Sequence, residues 1–211
     1  MKIISVAAPC NGSGKTSLIC SILQAFPGRL QALKCTTVYP DEKFCPASEV
    51  ECACRRLDGD FAVIADPDII RRPETDTAKI DAAGAVRTLW CLARPPHHAS
   101  LWKALCAGYL DPKWHLLCEG NSLADLMSPD LRIVVVHPDR PAETWKDASE
   151  ELVERADFVI LNSAQELPLW RSRIRQLRRS HEGIVTADVR HPIDQWRNGD
   201  LSERLSQLIL P

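Results

Sequence analysis

Asn11-Gly12-Ser13-Gly14-Lys15-Thr16 and the following Ser17 place two glycines, a lysine and three hydroxyls within seven residues. Glycines at positions 12 and 14 let backbone N–H groups approach phosphate oxygens, and a lysine next to them supplies charge to β- and γ-phosphates. Thr16 is then the natural Mg²⁺ ligand. An apolar run, residues 3–8, precedes the segment and a helical pattern over 15–25 follows it, which is the strand-loop-helix context this chemistry requires. Pro9 stands where the strict G-x-x-x-x-G-K-[ST] pattern has its first glycine.

Phosphoryl chemistry also needs acidic groups near the metal, at the carboxyl ends of neighbouring strands. Asp66 follows the apolar run 61–65 and Glu119 follows 115–118. Asp66 is expected to reach Mg²⁺ through water if its strand neighbours the first, and Glu119 to orient water or substrate. Either can instead be a helix cap or a surface carboxylate. Lys34, at the expected end of the second strand and followed by Cys35-Thr36-Thr37, is a candidate contact for substrate or γ-phosphate, with plain solvation as the alternative. Asn162 ends the run 158–161, and its amide can pair with a purine edge. The residues after it, Ser163-Ala164-Gln165-Glu166, lack the Lys-x-Asp used for guanine, so ATP and GTP both remain.

Nine cysteines in a chain without an export signal read as thiols rather than disulfides. Cys35, Cys45, Cys52 and Cys54 are candidates for one Zn²⁺ or iron-sulfur centre, although paired C-x-x-C knuckles are missing; free, partly buried thiols are the competing expectation.

Positioning such groups requires a rigid scaffold. Apolar, β-rich runs recur at 3–8, 30–35, 61–65, 86–92, 115–118, 131–136, 158–161 and 184–187, several of them continuous, as strands covered on both faces are. Helical patterns at 15–25, 78–85, 100–109, 142–155 and 167–179 lie between them. This alternation predicts an α/β fold with three layers around a mainly parallel central sheet, in one domain over 1–211. Residues 39–60 hold Pro40, Cys45, Pro46, Cys52 and Cys54 without a sustained period, and read as a Cys-rich insertion. The basic run Arg171, Arg173, Arg175, Arg178 and Arg179 reads as a solvated helix face, or as a site for a phosphate-bearing partner. A formal net charge of -2 offers no field for collecting nucleic acid. The first apolar run is too short for a signal sequence, and no run of about 18 apolar residues occurs, so a cytoplasmic protein without a membrane span is expected.

Two resemblances follow from these residues, both within the P-loop branch that includes dethiobiotin synthetase, the nitrogenase iron protein and signal-recognition GTPases. Ala7-Ala8-Pro9-Cys10-Asn11-Gly12-Ser13-Gly14-Lys15-Thr16 resembles the amino terminus of cobyrinate a,c-diamide synthases, in which Ala-Pro precedes the loop, so Pro9 is a variant that family shares. Those enzymes use ATP to activate a carboxylate and carry a glutaminase domain, for which 211 residues leave no room. Lys34, Asp76-Thr77, Asp81-Ala82-Ala83-Gly84-Ala85 and Glu119-Gly120 stand in an order similar to that of molybdopterin-guanine dinucleotide biosynthesis adaptor protein B. That resemblance spans roughly the first 120 residues and leaves out 39–60. It implies a slow, Mg²⁺-dependent ATPase or GTPase, a homodimer, and a partner in cofactor biosynthesis or insertion. The alternatives are a small-molecule kinase or carboxylate-activating ligase, and a metal-handling protein with the nucleotide as a switch.

Overall fold

The computed structural model describes residues 1–39, 57–140, 145–146, 148–178, 182–196 and 199–210. Cys45, Cys52, Cys54 and most of the expected insertion lie outside the described residues. In chain order the strands are β1 (Ile3–Ala7), β2 (Leu30–Thr37), β3 (Phe61–Ile64), β4 (Thr88–Ala93), β5 (His115–Glu119), β6 (Leu131–Val136), β7 (Phe158–Asn162) and β8 (Ile184–Ala187). They form one eight-stranded sheet in the order β3-β4-β2-β5-β1-β6-β7-β8. Every neighbouring pair is parallel except β3 and β4.

The helices are α1 (Lys15–Ala25), α2 (Pro67–Ile70), α3 (Asp76–Ala82), α4 (His98–Ala104), α5 (Ser149–Glu154), α6 (Pro168–Leu177) and α7 (Asp200–Ile209). Successive strand residues face opposite sides of the sheet, and β1 shows the consequence: Ile4 and Val6 join a core with α1, α3 and α7, while Ile3 and Ala7 face the layer holding α4, α5 and α6. An α/β sheet flanked on both faces by helices is therefore present.

Several boundaries differ from expectation for local reasons. The pattern over 100–109 becomes α4 and then a wider π-helical turn, Leu105–Tyr109, closed by Leu110 N donating to Leu105 O at 3.0 Å. Of the pattern over 142–155 the described residues show α5 from Ser149, preceded by Ala148 at φ +60° and by Lys146, whose backbone N–H donates to Pro9 O; residues 142–144 and 147 lie outside the described residues. Helix α7 was not among the expected elements, although Leu201, Leu205 and Ile209 form a buried stripe at i, i+4 and i+8.

On one face of the sheet Cys35 stands opposite Cys91 across β2 and β4, and Cys118 opposite Leu33 across β2 and β5. Burial pushes the Cys35 thiol up to about 12 and raises those of Cys91 and Cys118 as well.

At the far edge, Gly183 precedes β8 with φ +71°, and a Cβ there would lie 2.2 Å from the Asp157 carbonyl oxygen. Gly183→Ala is expected to cost about 3 kcal/mol or more, since both the dihedral and a backbone clash oppose it. Urea unfolding checks this. A change under about 0.5 kcal/mol, typical of surface substitutions, would show that the edge yields freely.

Candidate functional site

The glycine-rich loop leaves the carboxyl end of β1, the fifth of eight strands, and the surrounding elements hold its backbone from several directions. Ala8 N donates to Asn121 Oδ1 at 3.1 Å, and Asn121 Nδ2 donates to Ala8 O at 2.8 Å. Pro9 O accepts from Lys146 N at 3.0 Å and from the Ser149 hydroxyl at 3.2 Å. Ser13 is fully buried, and its hydroxyl donates to Cys10 O at 2.9 Å. Gly14 has φ +100°, and a Cβ there would lie 2.6 Å from Asn162 Nδ2 and 2.7 Å from Val189 Cγ2. The loop thus needs glycine at position 14 for dihedral and for space.

Helix α1 starts directly after Gly14 with no side-chain cap and no acidic residue in its first turn. Its first N–H groups have no intrahelical acceptors, and the helix dipole adds positive potential at the same end. Such an end favours a bound anion.

Around this end the charged side chains form one network. The Thr16 hydroxyl donates to Glu119 Oε2 at 3.0 Å, while Lys34 Nζ donates to Glu119 Oε1 at 2.9 Å and to Asp76 Oδ2 at 2.8 Å. Strand pairing puts Lys34 opposite Glu119, and α3 brings Asp76. Glu119 is 4% exposed, so its charge needs these partners. Burial works against the Lys34 ammonium, but Glu119 and Asp76 outweigh it and raise its pKa. For Asp76, burial would raise the carboxyl, and Lys34 followed by Lys79 brings it below its usual range. Lys15 differs: burial lowers its pKa, the attraction of Glu119 offsets this only in part, and Lys146 and Lys34 repel it. An arriving anion would relieve that strain.

Lys34, predicted at a strand end, lies within β2, which continues through Thr37. Gly120 follows Glu119 at φ +135°, where a Cβ would come within 2.8 Å of Cys35 O. A glycine there lets the chain after β5 pass against the β2 backbone. Asn11, Gly12, Ser13, Gly14, Lys15, Thr16 and Ser17 line one cleft of about 1940 Å³ with Lys34, Asp76 and Glu119.

Two expectations are corrected. Asp66 does not join the glycine-rich loop, because β3 is the edge strand, four strand spacings or about 19 Å from β1. Being antiparallel, β3 also carries Asp66 away from the loop's end of the sheet, and its carboxylate caps α2 by accepting from Asp68 N at 2.9 Å. Asn162 does not present its amide for a base edge: Nδ2 donates to Ser13 O at 3.0 Å, and Oδ1 accepts from Val189 N at 3.2 Å. It ties the glycine-rich loop to the loop after β8. Cys35 packs into the core beneath the cleft, and among the described residues no cluster of three or more His, Cys, Asp or Glu side chains could hold a metal ion. Thr16 and Glu119 supply hard oxygen donors, which suit Mg²⁺ completed by phosphate and water.

Sequence reasoning had not assigned Asp76, Asn121, Lys146 or Arg140 to the site. Lys146 Nζ donates to Asn11 Oδ1 at 3.1 Å, and Arg140 Nη2 lies 3.4 Å from where a Cβ on Gly12 would be. No local motif marks Lys146 or Arg140, which come from the segment between β6 and α5. Lys146→Ala is expected to weaken triphosphate binding about fivefold and to reduce its salt dependence, because an exposed charge contributes modestly and is screened. Titrations at two ionic strengths check this; an unchanged affinity and salt slope would show that Lys146 only props Asn11.

In comparisons with known proteins, the chain matches no family model and no curated protein.

Proposed function

We propose that the chain is a P-loop protein that binds Mg²⁺ with ATP or GTP and hydrolyses the nucleotide slowly. The observation that carries this reading is Glu119, whose two carboxylate oxygens join the Thr16 hydroxyl and Lys34 beside an uncapped helix end. The β- and γ-phosphates fit against the first-turn N–H groups of α1 and Lys15. Thr16 and Glu119 are the residues that would hold Mg²⁺. Bound there, the ion would neutralise charge developing on the transferred phosphoryl group.

The protein's own part is positioning and electrostatics. Glu119 holds one oxygen on Lys34, and its other oxygen, which accepts from the Thr16 hydroxyl, would orient the attacking water if Thr16 turned away from it. Lys34, its ammonium fixed by two carboxylates, would face the γ-phosphate. Base choice between adenine and guanine falls to groups other than the engaged amide of Asn162.

An accessory role in cofactor biosynthesis or insertion belongs to the same proposal. It is supported by the way Lys34, Asp76 and Glu119-Gly120, scattered over 87 residues, gather at one site in the order shared with the molybdopterin-guanine dinucleotide adaptor. Calorimetric titration with ATP and GTP, each with and without Mg²⁺, tests the reading. Binding that strengthens with Mg²⁺ supports it, and no binding of either nucleotide rejects it.

A further inference from the structure

Beyond Lys34 the rim of the cleft carries a second set of reactive groups. The Thr37 hydroxyl, at the end of β2, is hydrogen-bonded to the Ser122 hydroxyl, three residues past Glu119. Thr37 Oγ1 also lies 3.2 Å from His98 Nε2, and His98 Nδ1 lies 2.8 Å from Pro95 O. A carbonyl oxygen only accepts, so Nδ1 carries the proton and Nε2 of the neutral ring is the acceptor. That fixes the direction of the chain. Thr37 donates to His98, and Ser122 donates to Thr37.

Ser122 and Thr37 line the same cleft as Lys15, Thr16, Lys34 and Glu119. The chain therefore runs from the cleft wall to a proton acceptor held in one tautomer. A tie between the ends of β2 and β5 would need only the two hydroxyls; the oriented imidazole adds a base. Trp90, whose indole N–H donates to Thr36 Oγ1 at 3.1 Å, gives the adjoining wall a flat apolar surface.

We propose that Ser122, Thr37 and His98 form the subsite for the oxygen nucleophile that attacks the γ-phosphate. The proposal rests on the nucleotide reading above. In the reaction the nucleophile's oxygen forms a bond to γ-phosphorus as the bond from γ-phosphorus to the β,γ-bridging oxygen breaks, and the nucleoside diphosphate leaves with that electron pair. The nucleophile's proton passes to Ser122 Oγ, that of Ser122 to Thr37 Oγ1, and that of Thr37 to His98 Nε2, from which the imidazolium returns a proton to water. The nucleophile is a hydroxyl: water in hydrolysis, an alcohol in phosphoryl transfer.

The test uses the full chain with MgATP and MgGTP. His98→Gln and Thr37→Val are expected to lower kcat about 100-fold, the usual contribution of general-base catalysis, with KM and the affinity for a non-hydrolysable triphosphate unchanged. Thr37→Ser should retain activity, and added imidazole should restore His98→Gly, which a structural role would not allow. Melting curves identify any variant that fails to fold, in which case Ser122→Ala with unchanged nucleotide affinity carries the test. Glycerol then serves as a competing nucleophile: phosphorylated glycerol formed only when His98 is intact assigns an alcohol, and His98-dependent hydrolysis without it assigns water. Folded His98→Gln and Thr37→Val that turn over at the wild-type rate overturn the proposal. Failure of the wild-type chain to bind nucleotide instead overturns the reading beneath it.

Discussion

Replacing Lys15 with alanine is expected to weaken ATP and GTP binding by about 100-fold or more, roughly 2.8 kcal/mol, while leaving the melting temperature unchanged or slightly higher. The two effects have one cause. Burial destabilises the Lys15 ammonium, and two further cations, Lys146 and Lys34, add to that cost against the partial relief from Glu119. The free protein therefore holds this charge at a disadvantage, and a bound phosphate would convert it into a charge-assisted hydrogen bond. Calorimetry with thermal melts measures both quantities. Wild-type affinity in a folded Lys15→Ala protein would remove the phosphate site from this loop, and a large drop in melting temperature would make Lys15 a structural residue.

Glu119→Gln is expected to reduce steady-state hydrolysis by about 100- to 1,000-fold, the scale for loss of one preorganised polar group at a transition state, with a smaller change in nucleotide affinity. Glu119 is the joint between Thr16 and Lys34, so the amide keeps the shape and loses the charge that both address. Asp66→Asn should leave turnover unchanged, because Asp66 caps α2 at the sheet edge. Phosphate release and binding, measured for both variants, separate these roles. Equal loss of binding and turnover in Glu119→Gln would place it in folding, and an Asp66→Asn defect matching it would return the metal role to Asp66.

The contrast between these carboxylates shows where the sequence stops informing. Asp66 and Glu119 each follow a short apolar run, and only Pro67, which marks Asp66 as a helix cap, separates them locally. Strand order separates them, because β5 is paired with β1 and β3 is at the edge, and order depends on how distant elements pack. The eight strands were legible because each carries a short apolar, β-rich run, several of them continuous. Helix α2, with four residues, is too short to show a period, and the stripe of α7 was readable but passed over. Asn162 stands at a strand end as expected, yet its amide is turned to Ser13 and Val189, backbone partners that no spacing rule reveals. Lys146 was assigned to a helix that begins three residues later, and its contribution depends on a backbone hydrogen bond to Pro9 across 137 positions of chain.

The row of thiols beneath the cleft gives the sheet a built-in clock. Thiolates, not thiols, react with alkylating reagents, and burial holds Cys35, Cys91 and Cys118 far toward the thiol form on adjacent strands. Cys106 is exposed in the π-helical turn and meets reagent without any strand moving. Labelling at Cys106 therefore proceeds at the rate its own thiol acidity allows, whereas labelling at Cys118 waits for the side chains packed over it, among them Leu101, Leu105, Leu123 and Met127, to lift from that face. The interval between the two measures how often that cover opens while the sheet beneath it stays paired.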